Sequence, residues 1–542
     1  MPDDDNLWWR EGVFYHIYLR SFADSDGDGL GDLPGLIARL DHLAGAPDSL
    51  GVDALWLSPC YPSPDKDFGY DVADYRDIDP RYGTLADFDR LLAEAHRRGL
   101  RVMLDLVFNH TSDQHAWFRE SRRRRDSPRR DWYLWADPRP GLFGPRRPNN
   151  WRSIFGGPGW AWDESTRQYY FHQFLPEQPD LNWHNPAVRA EMMDVARFWL
   201  ARGVDGFRLD VHSSWFKHHD RPDNPALPGG LGGFFGQRHL YDTNQPELAE
   251  ALATFRDLLD SFPGRAAVGE PLMLSPEATA AQCHARALHL TFNFAFSESR
   301  WNPAAFLRQI LRWEAALAES GWPCYVFSNH DGLRRAVSRY GGRHPDAVAR
   351  VAAALLLTLR GTPFVYYGEE IALPDTRLRR SQLQDPVSRH YWPIYQRDGG
   401  RAPLPWDDSP HGGFTSGQPW MPMHPGCRER NVAAQRADPG SALHFYRALL
   451  ALRRAAPALR RGAFVPLTSR PRRGLAYLRQ DGEQRALVAL NLSASPAQLS
   501  FDAPAPAERW RGALGTHAGA AARLRPEGIS MQPHEVAIFL NH

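Results

Sequence analysis

Cysteine is scarce in this chain. The four present, Cys60, Cys283, Cys324 and Cys427, are spread through 542 residues with no C-x-x-C spacing. That distribution excludes a thiolate zinc site and a disulfide framework, and buried free thiols are expected instead. Long apolar runs are missing too. No stretch of about 18 apolar residues occurs, so no membrane-spanning helix is expected. The opening residues, Met1-Pro2-Asp3-Asp4-Asp5-Asn6, are acidic and do not fit a secretory signal. The expectation is a cytoplasmic enzyme with no membrane association. Nor does one sign of charge dominate: 64 Lys and Arg face 63 Asp and Glu, a formal net charge of +1. Such a balance offers nothing specific to nucleic acid, an anionic lipid surface or a polyanionic substrate.

What is present is a large amount of core. Hydrophobic residues make up 43% of the chain and charged residues 23%, which predicts a packed interior rather than disorder. The length exceeds one ordinary domain and suits a large barrel with insertions plus a small module. Part of the 19 tryptophans is ordinary core, but sugar rings also stack on such side chains.

Val13 to Phe22 reads as a first buried strand. Directly after it, Asp24, Asp26, Asp28 and Asp32 alternate with small residues and Leu30, with Gly29 at the sixth place. This matches the first nine positions of an EF-hand loop but lacks the closing Glu, since the twelfth position is Gly35. The expectation is a structural calcium held by Asp24, Asp26, Asp28, the Leu30 carbonyl and Asp32. Helical spacing over Leu33–Leu43 and Phe88–Arg98 alternates with strands at Gly51–Pro59 and Leu100–Phe108. That rhythm predicts parallel βαβ units.

From Thr111 to about Pro179 the rhythm breaks into a segment rich in Arg, Pro, Gly and Trp, including the basic run Arg122–Arg130. It is too long for a plain loop and reads as an inserted subdomain, with the charge run solvated. Helix Pro186–Arg202 then leads to a fourth strand, Gly203 to Asp210. Strands follow at Ala266–Gly269, His289–Phe296, Pro323–Phe327 and Phe364–Tyr367, with helices at Leu248–Phe262, Trp301–Ser320, Pro345–Leu359 and Ala442–Ala455. After Gly462 short alternating segments predict an all-β tail. The resulting expectation is an α/β chain. Residues 1–110 and 180–460 form a (β/α)₈ TIM barrel, 111–179 an inserted subdomain after strand 3, and 461–542 a C-terminal β-sandwich domain.

In such a barrel the chemistry sits at the C-terminal ends of the strands. Asp210, Glu270 and Asp331 fall there on three different strands. Arg208, two residues before Asp210, points to the same side and can orient that carboxylate and hold it ionised. Alone, an R-x-D pair is as well explained by a structural ion pair. Three converging carboxyls, with no phosphate loop, serine elbow or metal triad among them, fit glycoside hydrolysis. Asp210 suits the nucleophile. Glu270, near two further carboxylates, suits the proton donor with a raised pKa. Asp331 would stabilise the transition state or hold sugar hydroxyls.

The motifs carry a family resemblance. Asp105-Leu106-Val107-Phe108-Asn109-His110, Gly206-Phe207-Arg208-Leu209-Asp210, Val268-Gly269-Glu270 and Phe327-Ser328-Asn329-His330-Asp331 resemble, in order, the four signatures of the α-amylase superfamily, and within it the α-glucosidase and oligo-1,6-glucosidase branch. The resemblance implies a retaining, exo-acting α-glucosidase that releases the non-reducing-end glucose of short oligosaccharides or disaccharides. It further implies that Asp67 and Tyr70 close the end of the glucose subsite, that His110 and His330 bond glucose hydroxyls, and that Phe174 and Gln178 wall the site. Arg397 would pair with Asp67 and block the cleft behind one glucose. No organic cofactor is implied, nor any macromolecular partner beyond a monomer or small homo-oligomer. Glucosyl transfer or sucrose isomerisation through the same intermediate is the alternative in chemistry, and a non-catalytic binding homologue the alternative in class. Val211 resembles oligo-1,6-glucosidases more than maltases. Two departures from the branch's usual pattern, Pro271-Leu272-Met273 and Arg401-Ala402-Pro403-Leu404-Pro405-Trp406, bear on the acceptor side of the cleft.

Overall fold

A computed structural model of the chain describes residues 7–541 except 142, 143, 145, 230, 231, 318–320, 503, 504 and 506–508. The N-terminal hexapeptide and the expected end of the helix at Ser320 lie outside the described residues. Eight parallel strands form one sheet: β1 (Phe14–Ile17), β2 (Ala54–Leu57), β3 (Arg101–Leu106), β7 (Gly206–Leu209), β8 (Ala266–Gly269), β9 (Leu290–Thr291), β10 (Cys324–Val326) and β11 (Thr362–Tyr366). Their order, β10-β11-β1-β2-β3-β7-β8-β9, curls the sheet into a nearly closed barrel. Each is followed by a helix: α1 (Leu33–Leu43), α2 (Leu85–Arg97), α3 (Pro186–Ala201), α4 (Leu248–Asp260), α5 (Pro276–Ala280), α6 (Pro303–Ala316), α7 (Pro345–Thr358) and α8 (Ala442–Ala455).

Local chemistry sets most of these starts. Asn185 and Asn302 cap α3 and α6 with side-chain oxygens, and a proline fills the first helical position of each. Thr84 and Asp87 form a reciprocal capping box on α2. The barrel strands are buried on both faces, so they read as continuous apolar runs. Inside the barrel Phe14, Ala54, Met103, Val268 and Phe364 pack together beneath the site. Gly206 opens β7 because a Cβ there would run into the Ala266 carbonyl of the neighbouring strand.

Two expected strands are shorter than the sequence suggests. The first ends at Ile17, and Leu19–Ser21 forms a tight helical turn. In His289–Phe296 only Leu290–Thr291 pairs. The Asn293 side chain accepts from the Phe296 N–H at 3.1 Å and turns Phe294–Ser297 into helix. A side-chain cap outcompetes the ladder there.

The inserted segment forms a small antiparallel sheet of β4 (Trp135–Ala136), β5 (Trp160–Asp163) and β6 (Gln168–Phe171) over a core of Leu134, Trp151, Trp160, Tyr169 and Phe171. The basic run is solvated as expected, with Arg122 to Arg125 all exposed, but it is also partnered. Arg122 bonds buried Asp163 at 2.6 Å, Arg125 pairs with Asp137 at 3.0 Å, and Arg130 stacks 3.4 Å above the Trp135 ring.

The C-terminal region pairs β12 (Ala463–Pro466), β13 (Gly474–Asp481), β14 (Gln484–Asn491), β19 (Val536–Asn541) and β16 (Trp510–Gly515) in one sheet. A second sheet joins β15 (Ala497–Ser500), β18 (Gly528–Met531) and β17 (Leu524–Arg525), and both share one apolar core. Among the described residues no helix is long and apolar enough to cross a membrane. Cys60, Cys283 and Cys324 are buried free thiols, whereas Cys427 is half-buried.

Candidate active site

The C-terminal strand ends converge on a cavity of about 360 Å³ between the barrel and the inserted subdomain. Asp67, Tyr70, His110, Phe174, Asp210, Glu270, Asp331 and Arg397 all line it. Arg208, Gln178 and His330 do not; they sit fully buried behind this lining.

Arg208 is the centre of the buried layer. Register places it beside Asp105 on adjacent strands, both pointing into the barrel. Its Nη1 donates to Asp105 Oδ1 at 2.6 Å and to Asp210 Oδ1 at 2.8 Å, and its Nη2 donates to Glu270 Oε2. One guanidinium thus donates to three carboxylates, with Asp331 a fourth at 3.9 Å. Burial pushes Glu270 up to about 7, opposed by Arg208 and aided by Asp331 and Asp105. Burial also pushes Asp210 above the usual carboxylate range, against the pull of Arg208. The expected pull of Arg208 on Asp210 is present, but burial outweighs it. Two buried carboxyls that share one cation titrate together. The nucleophile is free when the shared proton resides on Glu270.

Asp331 behaves differently. Burial opposes its ionisation, but His330 Nε2 at 3.0 Å and Arg397 and Arg401, each at 3.3 Å, hold it well below the usual range. Burial also holds His330 down near 4. That imidazole is neutral at pH 7, so the two guanidiniums are what keep Asp331 charged. The His330 Nε2 also lies 2.5 Å from the Tyr70 hydroxyl. Both contacts are made by Nε2, which ties the ring to two residues that line the cavity.

The closed end of the cavity is a salt-bridge lock. Arg397 Nη2 donates to Asp67 Oδ1 at 2.6 Å and Asp385 Oδ1 at 2.6 Å, and its Nε donates to Asp385 Oδ2 at 2.9 Å. The Arg397–Asp67 pair implied by the resemblance is formed. Gln178 Nε2 reaches Asp67 Oδ2 at 3.1 Å and His110 Nε2 at 3.1 Å, so it braces two lining residues from behind. Burial holds His110 down near 4, a neutral imidazole at pH 7. Phe174 stands 5.1 Å from the His110 ring and 5.3 Å from Phe155, forming the inserted subdomain's wall.

Sequence reasoning missed Asp385 and Arg401, and gave Asp105 no role. Asp105 was recognisable within its motif, but its partnership with Arg208 depends on strand register. Asp385 lies in an irregular region without periodicity that could have marked it. Its removal would leave a buried guanidinium with one strong partner fewer. Asp385→Ala is expected to cost about 3 kcal/mol, the low end for a broken buried ion pair because Asp67 remains. Urea unfolding checks this, and an unchanged midpoint would show that the lock does not hold the loop.

Asp24, Asp26 and Asp28 bring carboxylate oxygens within 4.8 Å of one another in the loop after β1. This all-oxygen set fits a hard divalent cation. Asp32 stands apart from it. Its Oδ1 accepts from Gly35 N–H at 2.6 Å as the cap of α1, and its Oδ2 accepts from Ser25 N–H at 3.0 Å and Ser25 Oγ at 2.8 Å.

Comparison with known proteins gives the lineage. The family model described as "Alpha amylase, catalytic domain" matches residues 16–462. The chain belongs to the alpha-amylase family. It is 46% identical over 511 residues to a probable alpha-glucosidase of Rhizobium meliloti (strain 1021), covering 91% of this chain and 90% of that one. It is 38% identical over 576 residues to an oligo-1,6-glucosidase of Heyndrickxia coagulans, covering 98% and 99%. Among solved structures, the alpha-glucosyl transfer enzyme XgtA superposes with a TM-score of 0.91 at 44% identity, covering 99% of each chain. The trehalulose synthase MutB from Pseudomonas mesoacidophila MX-45 gives 0.90 at 34%, covering 99% of each. The fold expectation, an alpha-amylase barrel with C-terminal antiparallel sheets, is shared by these relatives.

Proposed function

We propose that the protein is a retaining, exo-acting α-glucosidase that removes the non-reducing-end glucose from short α-glucosides. The observation that carries this reading is the Arg397–Asp67–Asp385 lock facing Asp210 and Glu270 across one small cavity. A cleft sealed behind one sugar ring admits chain ends and excludes chain interiors. The relatives named alpha-glucosidase and oligo-1,6-glucosidase support it.

Asp210 attacks the anomeric carbon while protonated Glu270 gives its proton to the leaving oxygen. The resulting β-glucosyl ester on Asp210 is then hydrolysed by water that Glu270, now a carboxylate, deprotonates. Asp331, kept anionic by Arg397 and Arg401, stabilises the positive charge that develops on the ring. Arg208 orients both reacting carboxylates without touching the sugar. Neutral His110 serves as a hydrogen-bond partner for glucose hydroxyls. His330 acts through Tyr70 and Asp331. The chain's own groups supply every step, so no organic cofactor is required. Transfer to a second sugar uses the same ester, and the likeness to a glucosyl transfer enzyme supports that as a companion activity.

Time-resolved proton NMR with maltose, isomaltose and sucrose tests the reading. Early α-glucose is the expected product, and the relative rates name the linkage. First-formed β-glucose would overturn retention, and new glucosyl-sugar signals without free glucose would make the enzyme a transferase or isomerase.

We further propose that Asp24, Asp26 and Asp28 hold a structural calcium together with the Leu30 carbonyl, while Asp32, engaged as the cap of α1, stays outside its shell. A ligand bound only to the native state at 100 times its Kd adds about 2.7 kcal/mol. Chelation is therefore expected to lower the melting temperature by a few degrees and calcium to restore it. Equal melting curves with and without chelator would remove the ion. A cytoplasmic monomer or small homo-oligomer acting on small sugars is the setting that fits this assignment.

A further inference from the structure

The two residues that follow Asp210 take no part in the steps above, yet both turn toward the other reacting carboxyl. Val211 stands at φ +33° and ψ +42°, the left-handed region that a β-branched residue enters at a cost. That reversal brings the Val211 N–H to bear on the Glu270 carboxyl, where it works against the rise that burial produces. It also folds His212 behind the cavity lining, where the side chain is fully buried. His212 Nδ1 donates to the Glu270 backbone carbonyl at 2.9 Å. Ser213 follows, its Oγ accepting from the Leu272 N–H at 2.8 Å and donating to the Leu272 carbonyl at 3.3 Å. The turn behind the nucleophile thus grips residues 270–272.

The barrel ladder does not hold this carbonyl. β8 ends at Gly269, whose own carbonyl accepts from the Phe292 N–H at 3.1 Å. The Glu270 N–H donates to the Leu209 carbonyl at 3.0 Å. Both backbone polar groups of Glu270 are therefore bound by Leu209 and His212, and Asp210 lies between those two in sequence. A retaining pair works at a separation of roughly 5–5.5 Å. Here the segment 209–212 holds both partners of that pair. The ring fits because position 269 carries no side chain: a Cβ there would lie 2.7 Å from His212 Cε1 and 2.9 Å from its Nδ1. Burial holds His212 down near 4, so the ring is neutral at pH 7. A carbonyl only accepts, so the one ring proton is on Nδ1. Nε2 stands 2.7 Å from the Gln282 amide, which stands 3.0 Å from that of Asn244. With each amide rotated by half a turn, the Gln282 NH2 donates to Nε2 and the ring is held at both nitrogens.

We propose that His212 is a positioning residue for Glu270, fixing the backbone of the proton donor against the strand end that carries the nucleophile. The inference rests on the glucosidase reading above. His212 acts from behind the lining, by holding the Glu270 peptide so that its carboxyl meets the glycosidic oxygen while Asp210 meets the anomeric carbon. Loss of this bond leaves substrate binding and the nucleophile in place and misplaces the proton donor. A misplacement of about 1 Å lowers such a step by about 10²-fold.

Two near-isosteric variants test this. His212→Asn places an amide N–H where Nδ1 stands, whereas His212→Gln places it where Nε2 stands. Maltose needs a proton on its leaving oxygen, and the fluoride of α-glucosyl fluoride does not. His212→Gln is expected to lower kcat on maltose by about 10²-fold, with KM within about twofold and single-turnover fluoride release within about threefold of the unsubstituted protein. His212→Asn is expected to restore maltose turnover to within about fivefold. The two donors are compared on one folded sample, so loss of folded material does not imitate the effect. Equal losses on both donors, no loss on either, or an Asn variant no better than the Gln variant would overturn the positioning role alone. No fluoride release by the unsubstituted protein would overturn the glucosidase reading on which it rests.

Discussion

Asp210→Asn is expected to lower turnover on any α-glucoside by at least about 10⁴-fold, because the amide cannot form the glucosyl ester. The fold should survive. Arg208 Nη1 keeps Asp105 at 2.6 Å, its Nη2 keeps Glu270, and the amide oxygen can accept the bond that Asp210 accepts now. The substitution also removes one of the four carboxylates around one guanidinium, which relieves rather than creates an uncompensated charge. Circular dichroism and the melting temperature check folding, and maltose and sucrose hydrolysis check turnover. The smaller Asp210→Gly variant adds a sharper readout. With α-glucosyl fluoride as donor and azide or formate as external nucleophile, activity should partly return and give the β-glucosyl product, since the vacated space faces the β side of the ring. Undiminished hydrolysis by Asp210→Asn would remove the mechanism.

How much of this was visible beforehand follows from where each residue stands. The barrel strands and helices α1, α3, α7 and α8 were legible because buried runs and helical periods are local signals. Asp210, Glu270 and Asp331 were legible because strand ends mark them. Strand β9 was overread because HLTFNFAF continues its apolar character past the Asn293 cap. Side-chain direction was legible only where strand alternation fixes it, as for Arg208 and Asp210. His330 and Gln178 are buried beside the cavity and bond residues that line it, contacts that depend on the folded chain and not on local pattern. Asp385 and Arg401 emerge only after the chain folds back from an irregular segment. Long-range charge pairing leaves no period in a sequence, and in this site it decides which carboxylates are ionised.

That division of charge gives the second large effect. Glu270 must be protonated to release an alcohol, and burial raises its pKa to about 7. The protonated fraction falls as pH rises through that value, so kcat/KM on maltose should decline on the alkaline side with a midpoint near 7. Asp331 is held far below the usual range and stays ionised throughout, so it contributes nothing to that limb. Glu270→Gln should abolish the limb and lower maltose hydrolysis by about 10³-fold, within the range of a lost general acid and base. The loss should depend on the leaving group. Fluoride departs without a proton, so α-glucosyl fluoride should still load Asp210, and the ester should then accumulate because no base activates water. Added azide, which needs no base, should release it as α-glucosyl azide, whereas rescue of Asp210→Gly by azide from the same α-fluoride would give the β product. The anomer of the azide therefore distinguishes the two carboxylates directly. If Glu270→Gln kept the alkaline limb, the titrating group would be Asp210 or another member of the Arg208 cluster, and the roles of acid and nucleophile would have to be exchanged.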